Sequence, residues 1–306
     1  MLPGSIILIE RTINMNKLTI IELINQYQLY SKDYKSSETV RYQESHARSW
    51  RKFLKTYNIN HPSELNDKAI VLYMRYLKKT CQNITINKRI LFIKQVFNHF
   101  GIDNKDLLKT QKLRQNRLSY DIIHESELKL LLNYANKIDT SKPYELTKKL
   151  IIFLLLDTGM RQSELLNIEI KNINFNENSI YLTRTKTRLA RTVFFTKMTK
   201  DMLLKYIDID PERKYLLWNY ISYTRYTYRH LEWLMKKVKD DLGLKKLNAR
   251  MFRHTMATAL AENGCDIYTI QKLLGHTNIK TTEIYLHMSL KKTKSDYERY
   301  NLVDHI

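Results

Sequence analysis

The sequence predicts an α+β chain, mostly helical with one small antiparallel β-sheet, divided into a helical N-terminal domain and a larger C-terminal domain. Three observations carry this expectation. Only 6 Gly and 4 Pro punctuate 306 residues, so long helices meet few breakers. Apolar residues recur at helical spacing through most of the chain. Residues 172–196 alternate instead with a period of two, between turn-forming stretches.

Taken in order, residues 1–14 read as an N-terminal extension, and Ile6 to Ile9 is too short an apolar run for a secretory segment. A helical domain is expected over 15–104, with helices near 18–30, 39–57, 64–79 and 84–101. In 39–57, His46, Trp50, Phe53 and Tyr57 share one side of the wheel, while Arg41, Arg48, Lys52 and Lys55 share the other. Such a basic stripe is either a solvated face or a track for phosphates. In 84–101, Ile86, Ile90, Ile93, Phe97 and Phe100 form a core stripe that Gly101 would cap. Residues 105–120, with Lys105, Lys109, Lys112, Arg114 and Arg117 and few apolar anchors, read as an exposed basic linker. The second domain spans 121–306. Helices are expected at 125–135 and 146–157, followed by three strands with turns at Asn176-Glu177-Asn178 and Lys186-Thr187-Arg188, then helices to a tail beginning at 288.

Charge narrows the partner. The chain carries 52 Lys and Arg against 31 Asp and Glu, for a net charge of +21. Both parts are basic: residues 1–118 hold 21 basic against 9 acidic side chains, and 119–306 hold 31 against 22. A polyanion, nucleic acid before an anionic membrane, relieves such self-repulsion. The longest apolar run, Leu150 to Leu156, is far shorter than the ~20 residues a bilayer requires. Cys81 and Cys265 stand apart, without the spacing of a disulfide framework or zinc site. There is no GxxxxGK loop, and no acidic cluster lies near the basic motifs, so neither nucleotide nor metal is expected as a cofactor.

Candidate chemistry sits in five spaced segments. Asp157-Thr158-Gly159-Met160-Arg161-Gln162-Ser163-Glu164-Leu165 turns at Gly159 and puts Arg161 at a helix start, where its planar fork can meet a phosphate. Lys186 lies in a turn between strands. Arg250-Met251-Phe252-Arg253-His254-Thr255 follows, then Leu273-Leu274-Gly275-His276, then Thr281-Thr282-Glu283-Ile284-Tyr285. Taken singly, an arginine at a helix start or a lysine on a turn is usually a surface residue. In this order, with His276 23 residues after Arg253 and Tyr285 9 residues after His276, the set resembles tyrosine recombinases of the phage-integrase family over 120–290. By size the chain is similar to Xer-like and simple mobile-element integrases, and its N-terminal part resembles their core-binding domain.

The resemblance implies that Tyr285 attacks a scissile phosphate, leaving a 3′-phosphotyrosine link and a free 5′-hydroxyl. Arg161, Arg253 and His276 would stabilise the charge that develops on the phosphate oxygens, and Lys186 would protonate the leaving 5′-oxygen. Tyr297 and Tyr300 are the alternative nucleophiles. Arg250 departs from the family pattern, which has His three residues before the second arginine; Arg can donate hydrogen bonds there but cannot accept a proton. His254 has a counterpart in the family that is read as mainly structural. The resemblance further implies double-stranded DNA with paired recombination sites as partner, a homotetramer on synapsed DNA, a monomer or dimer otherwise, no membrane, and a cytoplasmic, nucleoid-associated location. The alternatives are type IB topoisomerase-like relaxation of DNA and a DNA-binding relative without catalysis.

Overall fold

A computed structural model describes residues 18–114, 121–183, 190–286, 297–299 and 303. The chain divides into two compact units, Met1–Leu118 and Ser119–Ile306.

In the first unit, α1 (Ile20–Tyr34) starts where Thr19 and Glu22 cap each other's backbone N–H groups. Ser36 caps α2 (Ser37–Thr56) and Asn66 caps α3 (Asp67–Lys78); α4 (Asn83–His99) follows. Their apolar stripes meet in an aromatic-rich core. The Trp50 and Tyr73 rings lie 3.8 Å apart between centroids, the Trp50 indole N–H donates to the Arg89 carbonyl at 2.8 Å, and the Tyr73 hydroxyl pairs with Ser49 at 3.0 Å. Large rings are thus buried with their polar handles satisfied. On α2, Trp50 and Phe53 are buried as the wheel requires, and Arg41, Arg48, Lys52 and Lys55 are exposed. Tyr57 differs from expectation: it is 41% exposed, because the helix ends at Thr56 and the next residue leaves the helical register.

The expected linker begins too early. Residues 105–109 form a short helix, α5 (Lys105–Lys109), capped by Asn104 at the Leu107 N–H, with Leu107 buried in the first core. Lys94 donates to the carbonyls of Leu108 and Thr110, and the Leu113 N–H donates to Asn87. One apolar anchor and a cap sufficed to fix a segment whose composition looked like connector. Residues 115–120 lie outside the described residues.

The second unit is built round α7 (Pro143–Thr158). Leu150 to Leu155 of this helix are all buried, as befits a helix apolar on every side. It touches α6 (Glu125–Lys137), the strand Arg191–Phe194 and two helices that come later in the chain, α9 (Lys197–Asp208) and α11 (Ala249–Glu262). A short helix, α8 (Gln162–Leu165), leads into an antiparallel sheet in the order β1 (Ile173–Asn174), β2 (Ser179–Leu182), β3 (Arg191–Phe194). Register places Ile180 opposite Val193 and Leu182 opposite Arg191. Ile180 and Leu182 face the core while Tyr181 faces out, the alternation that marked these strands in the sequence.

After α9, where only helices were expected, the chain forms a hairpin of β4 (Trp218–Asn219) and β5 (Thr224–Arg225). Its turn is made by Asn219, whose side-chain oxygen accepts from the N–H groups of Ile221 and Ser222. Two-residue strands carry no alternation to read. The remaining elements are α10 (Tyr228–Asp241), α12 (Ile267–Leu274) and α13 (Lys280–Leu286). A small apolar cluster of Ala257, Ala261, Ile270, Leu274 and Tyr285 joins α11, α12 and α13. Among the described residues, no helix is long and apolar enough to cross a membrane.

Candidate active site

Two glycine turns set the site. Gly159 ends α7 and Gly275 ends α12, both in the left-handed region, with φ of 53° and 63° that L side chains rarely adopt. The carbonyl of Gly159 accepts from Arg253 Nη1 at 2.9 Å, and that of Leu274 accepts from Arg253 Nη2 at 2.5 Å. Arg161 Nη2 donates to the carbonyl of Gly275 at 3.0 Å. Carbonyls at a helix C-terminus carry partial negative charge and lack intrahelical partners, so guanidinium groups suit them. Arg161 and Arg253, 92 positions apart in sequence, are thereby moored to consecutive peptide groups.

Glu164 is the counter-charge. It is buried, accepting from Arg161 Nη1 at 2.8 Å, from the Arg161 main-chain N–H at 2.6 Å, and from Arg191 Nη2 at 2.7 Å. Burial alone would raise its carboxyl, but the two guanidinium charges and the N–H bond outweigh that and hold it below the usual range. Arg191, on β3, is buried, and a side chain on Gly275 would collide with it: an added Cβ would lie 2.6 Å from Arg191 Cδ. Neither Glu164 nor Arg191 stood out as a site residue in the sequence. Glu164 appeared only as a member of the Arg161 segment and Arg191 only within the stretch read as strands, because a pairing across 27 residues has no local periodicity.

Burial first, then the charges of Arg161 and Arg191, pull the Arg253 guanidinium down from its ordinary value. His276 is half-buried. Its Nδ1 is 2.9 Å from Thr282 Oγ1, and burial followed by Arg253, Arg161 and Arg191 pushes its imidazole down to about 3. Beside it opens a cleft of about 450 Å³ lined by Arg191, Lys272, Gly275 and His276, among others. Tyr285 is 1% exposed, and its hydroxyl lies 2.8 Å from His254 Nδ1.

The structure therefore brings Arg161, Arg253, His276 and Tyr285 together from four elements. Arg250, one turn before Arg253, is exposed; its main-chain N–H is capped by Asn248, and its charge is felt at His254. Lys186 falls in 184–189 and lies outside the described residues, as does Tyr300; Tyr297 is exposed. The stripe of Arg41, Arg48, Lys52 and Lys55 belongs to the first unit. Arg41 and Arg48 line an open groove there with Lys32 and Lys35.

The chain is similar to known proteins along most of its length. The chain is 29% identical over 281 residues to a probable integrase/recombinase of Acholeplasma phage L2, covering 91% of this chain and 96% of that protein. It is 34% identical over 221 residues to the tyrosine recombinase XerA of Saccharolobus solfataricus, covering 72% and 69%. Among solved structures, the Tn1549 transposon integrase in complex with transposon right end DNA matches with a TM-score of 0.74 at 18% identity, over 92% of this chain and 99% of that one. That last likeness is one of fold. Residues 121–292, which contain every element of the site just described, match the profile of the phage integrase family, and this chain belongs to that family.

Proposed function

We propose that this chain is a site-specific DNA recombinase that breaks and rejoins DNA strands through a 3′-phosphotyrosine intermediate formed by Tyr285. The observation that carries the reading is the mooring of Arg161 and Arg253 on the consecutive carbonyls of Gly275 and Leu274, in the same small cluster of helices that holds Tyr285. Attack on a phosphodiester puts added negative charge on the non-bridging oxygens. Guanidinium donors already fixed and partly desolvated stabilise that charge without reorganising when it develops.

In this scheme Arg161 and Arg253 grip the scissile phosphate, His276 adds a donor, and Lys186 protonates the departing 5′-oxygen. Arg250, exposed at the start of α11, extends the cationic edge of the site toward the DNA. Arg41, Arg48, Lys52 and Lys55 contact the phosphate backbone, in keeping with their exposure on one face of α2. Residues 15–104, with α5 packed on them, serve as the core-binding domain and 121–306 as the catalytic domain, with a tail from 288. The working assembly is a homotetramer on two paired sites, with monomers or dimers otherwise, acting at the nucleoid in the cytoplasm.

The test is a suicide substrate nicked near the cleavage point. Wild-type protein should form a covalent adduct, and Tyr285→Phe should bind the same DNA and form none. An adduct retained by Tyr285→Phe and lost in Tyr297→Phe or Tyr300→Phe would move the nucleophile to the tail.

A further inference from the structure

We infer that His254 is the catalytic base that takes the proton of Tyr285 as its oxygen attacks the DNA phosphate. The inference rests on the function proposed above and gives a part to a residue which that scheme leaves idle. His254 lies on α11 and Tyr285 on α13, 31 residues later, yet His254 Nδ1 is 2.8 Å from the phenol oxygen. The contact is shielded: Tyr285 is almost wholly buried and His254 is 7% exposed. The position three residues before Arg253 holds Arg250, which cannot accept a proton. The imidazole of His276 has its Nδ1 on Thr282. His254 thus offers an acceptor at hydrogen-bond distance from the reacting atom, the geometric requirement for a base.

Among the described residues, the charged and titratable groups that face His254 include Arg250 and Arg253 on its own helix, Asp121 ahead of α6, and His276 after α12, with Tyr285 across from it. Burial first, then Arg250 and Arg253, push the imidazole down to about 4, against a smaller opposing pull from Asp121. His254 is therefore neutral at neutral pH, and with its proton on Nε2 it presents a lone pair to the phenol. A phosphodiester seated against Arg253 brings a negative charge that offsets those cations, so the proton affinity of His254 rises when DNA binds.

The step balances. The proton passes from Tyr285 Oη to His254 Nδ1 as an Oη lone pair forms the bond to phosphorus. The P–O5′ bond breaks, its electron pair leaves on the 5′-oxygen, and that oxygen takes a proton from the general acid assigned to Lys186. Rejoining reverses this: the 5′-hydroxyl attacks phosphorus and returns its proton to the group assigned to Lys186, the P–Oη bond breaks with its electron pair on Oη, and the imidazolium returns its proton to the phenolate.

The experiment compares wild type and His254→Asn, each with tyrosine or with a fluorinated, more acidic tyrosine at position 285, in single-turnover cleavage of the nicked substrate. Asn can hydrogen-bond near the Nδ1 position but cannot take a proton. His254→Asn should slow cleavage by about 10²-fold or more, and the more acidic phenol, which needs less help to ionise, should restore most of that loss. Equal slowing with both phenols would reduce His254 to a positioning residue, and wild-type rates in His254→Asn would remove it from the mechanism. Should His254→Asn fail to fold, the two phenols in the wild-type background decide: weak dependence on phenol acidity supports base catalysis, and steep dependence overturns it. An absence of any wild-type adduct would instead sink the proposed function, so the two failures are told apart.

Discussion

Helices α2 and α11 both carry cations but hold them in opposite settings. On α2, Arg41, Arg48, Lys52 and Lys55 stand exposed on the face away from Trp50 and Phe53. On α11, Arg253 is 6% exposed and two of its donors are fixed to carbonyls. An exposed cation costs little to keep, moves freely, and is screened by salt. A buried one pays a desolvation penalty of several kcal/mol that only a paired carboxylate and good hydrogen bonds offset. The difference separates two tasks that net charge alone merges: holding a polyanion anywhere along its length, and stabilising charge at one atom.

If that contrast is right, removing the buried counter-charge should have the largest effect. Glu164→Gln leaves Arg161 and Arg191 without their carboxylate and should destabilise the second unit by about 3–5 kcal/mol, read as a loss in chemical denaturation. The pH sign follows from the depressed carboxyl. Wild-type stabilisation from this group is complete above the ordinary carboxylate range and fades as pH falls through the lowered value, whereas Glu164→Gln should lack that acid limb. A variant as stable as wild type at pH 7 would show that the buried cluster does not depend on its anion.

Next comes Arg253→Lys, which keeps the charge but loses the planar fork that spans the Gly159 and Leu274 carbonyls. Single-turnover cleavage should fall by about 10²- to 10³-fold, the usual cost of one oxyanion donor, with DNA affinity changed much less. A lysine variant with near wild-type cleavage would erase the distinction between fixed and merely present charge.

The smallest effect belongs to α2. Replacing Arg41 and Arg48 together with Gln should flatten the slope of log K against log salt by about 1.8, at roughly 0.9 per phosphate contact. Cleavage in the saturated complex should change far less than in Arg253→Lys. An unaltered slope would leave the α2 stripe as a solvated face and confine DNA contact to other surfaces.

The two helices also differ in how much of them the sequence disclosed. The two faces of α2 follow from a 3.6-residue period: Trp50 and Phe53 are buried and the four cations exposed as it requires, while His46 is only partly buried and Tyr57, just past the helix end, is exposed. Nothing periodic in α11 marks Arg253 as buried and Arg250 as exposed; only the spacing of the motif set Arg253 apart. Arg161, Arg253, His276 and Tyr285 were legible because their order resembled a known pattern. Glu164 and Arg191 escaped, since their role lies in a pairing between a helix and a strand. The contact of His254 with Tyr285 was equally hidden, because a hydrogen bond between α11 and α13 leaves no trace in either segment alone. The β4–β5 hairpin was missed for a different reason: its strands are too short to alternate, and its turn depends on one asparagine side chain.

Gly275 has a further consequence. Its carbonyl holds Arg161, the carbonyl before it holds Arg253, and the space where its side chain would stand is occupied by Arg191. The interval between the first two cations is therefore gauged by a single peptide unit, about 3.8 Å from one Cα to the next. It is insulated from side-chain drift in α8 and α11, because the ruler is main chain. Altering the grip on phosphate would then require re-cutting the end of one helix, and no exchange of surface residues would do it.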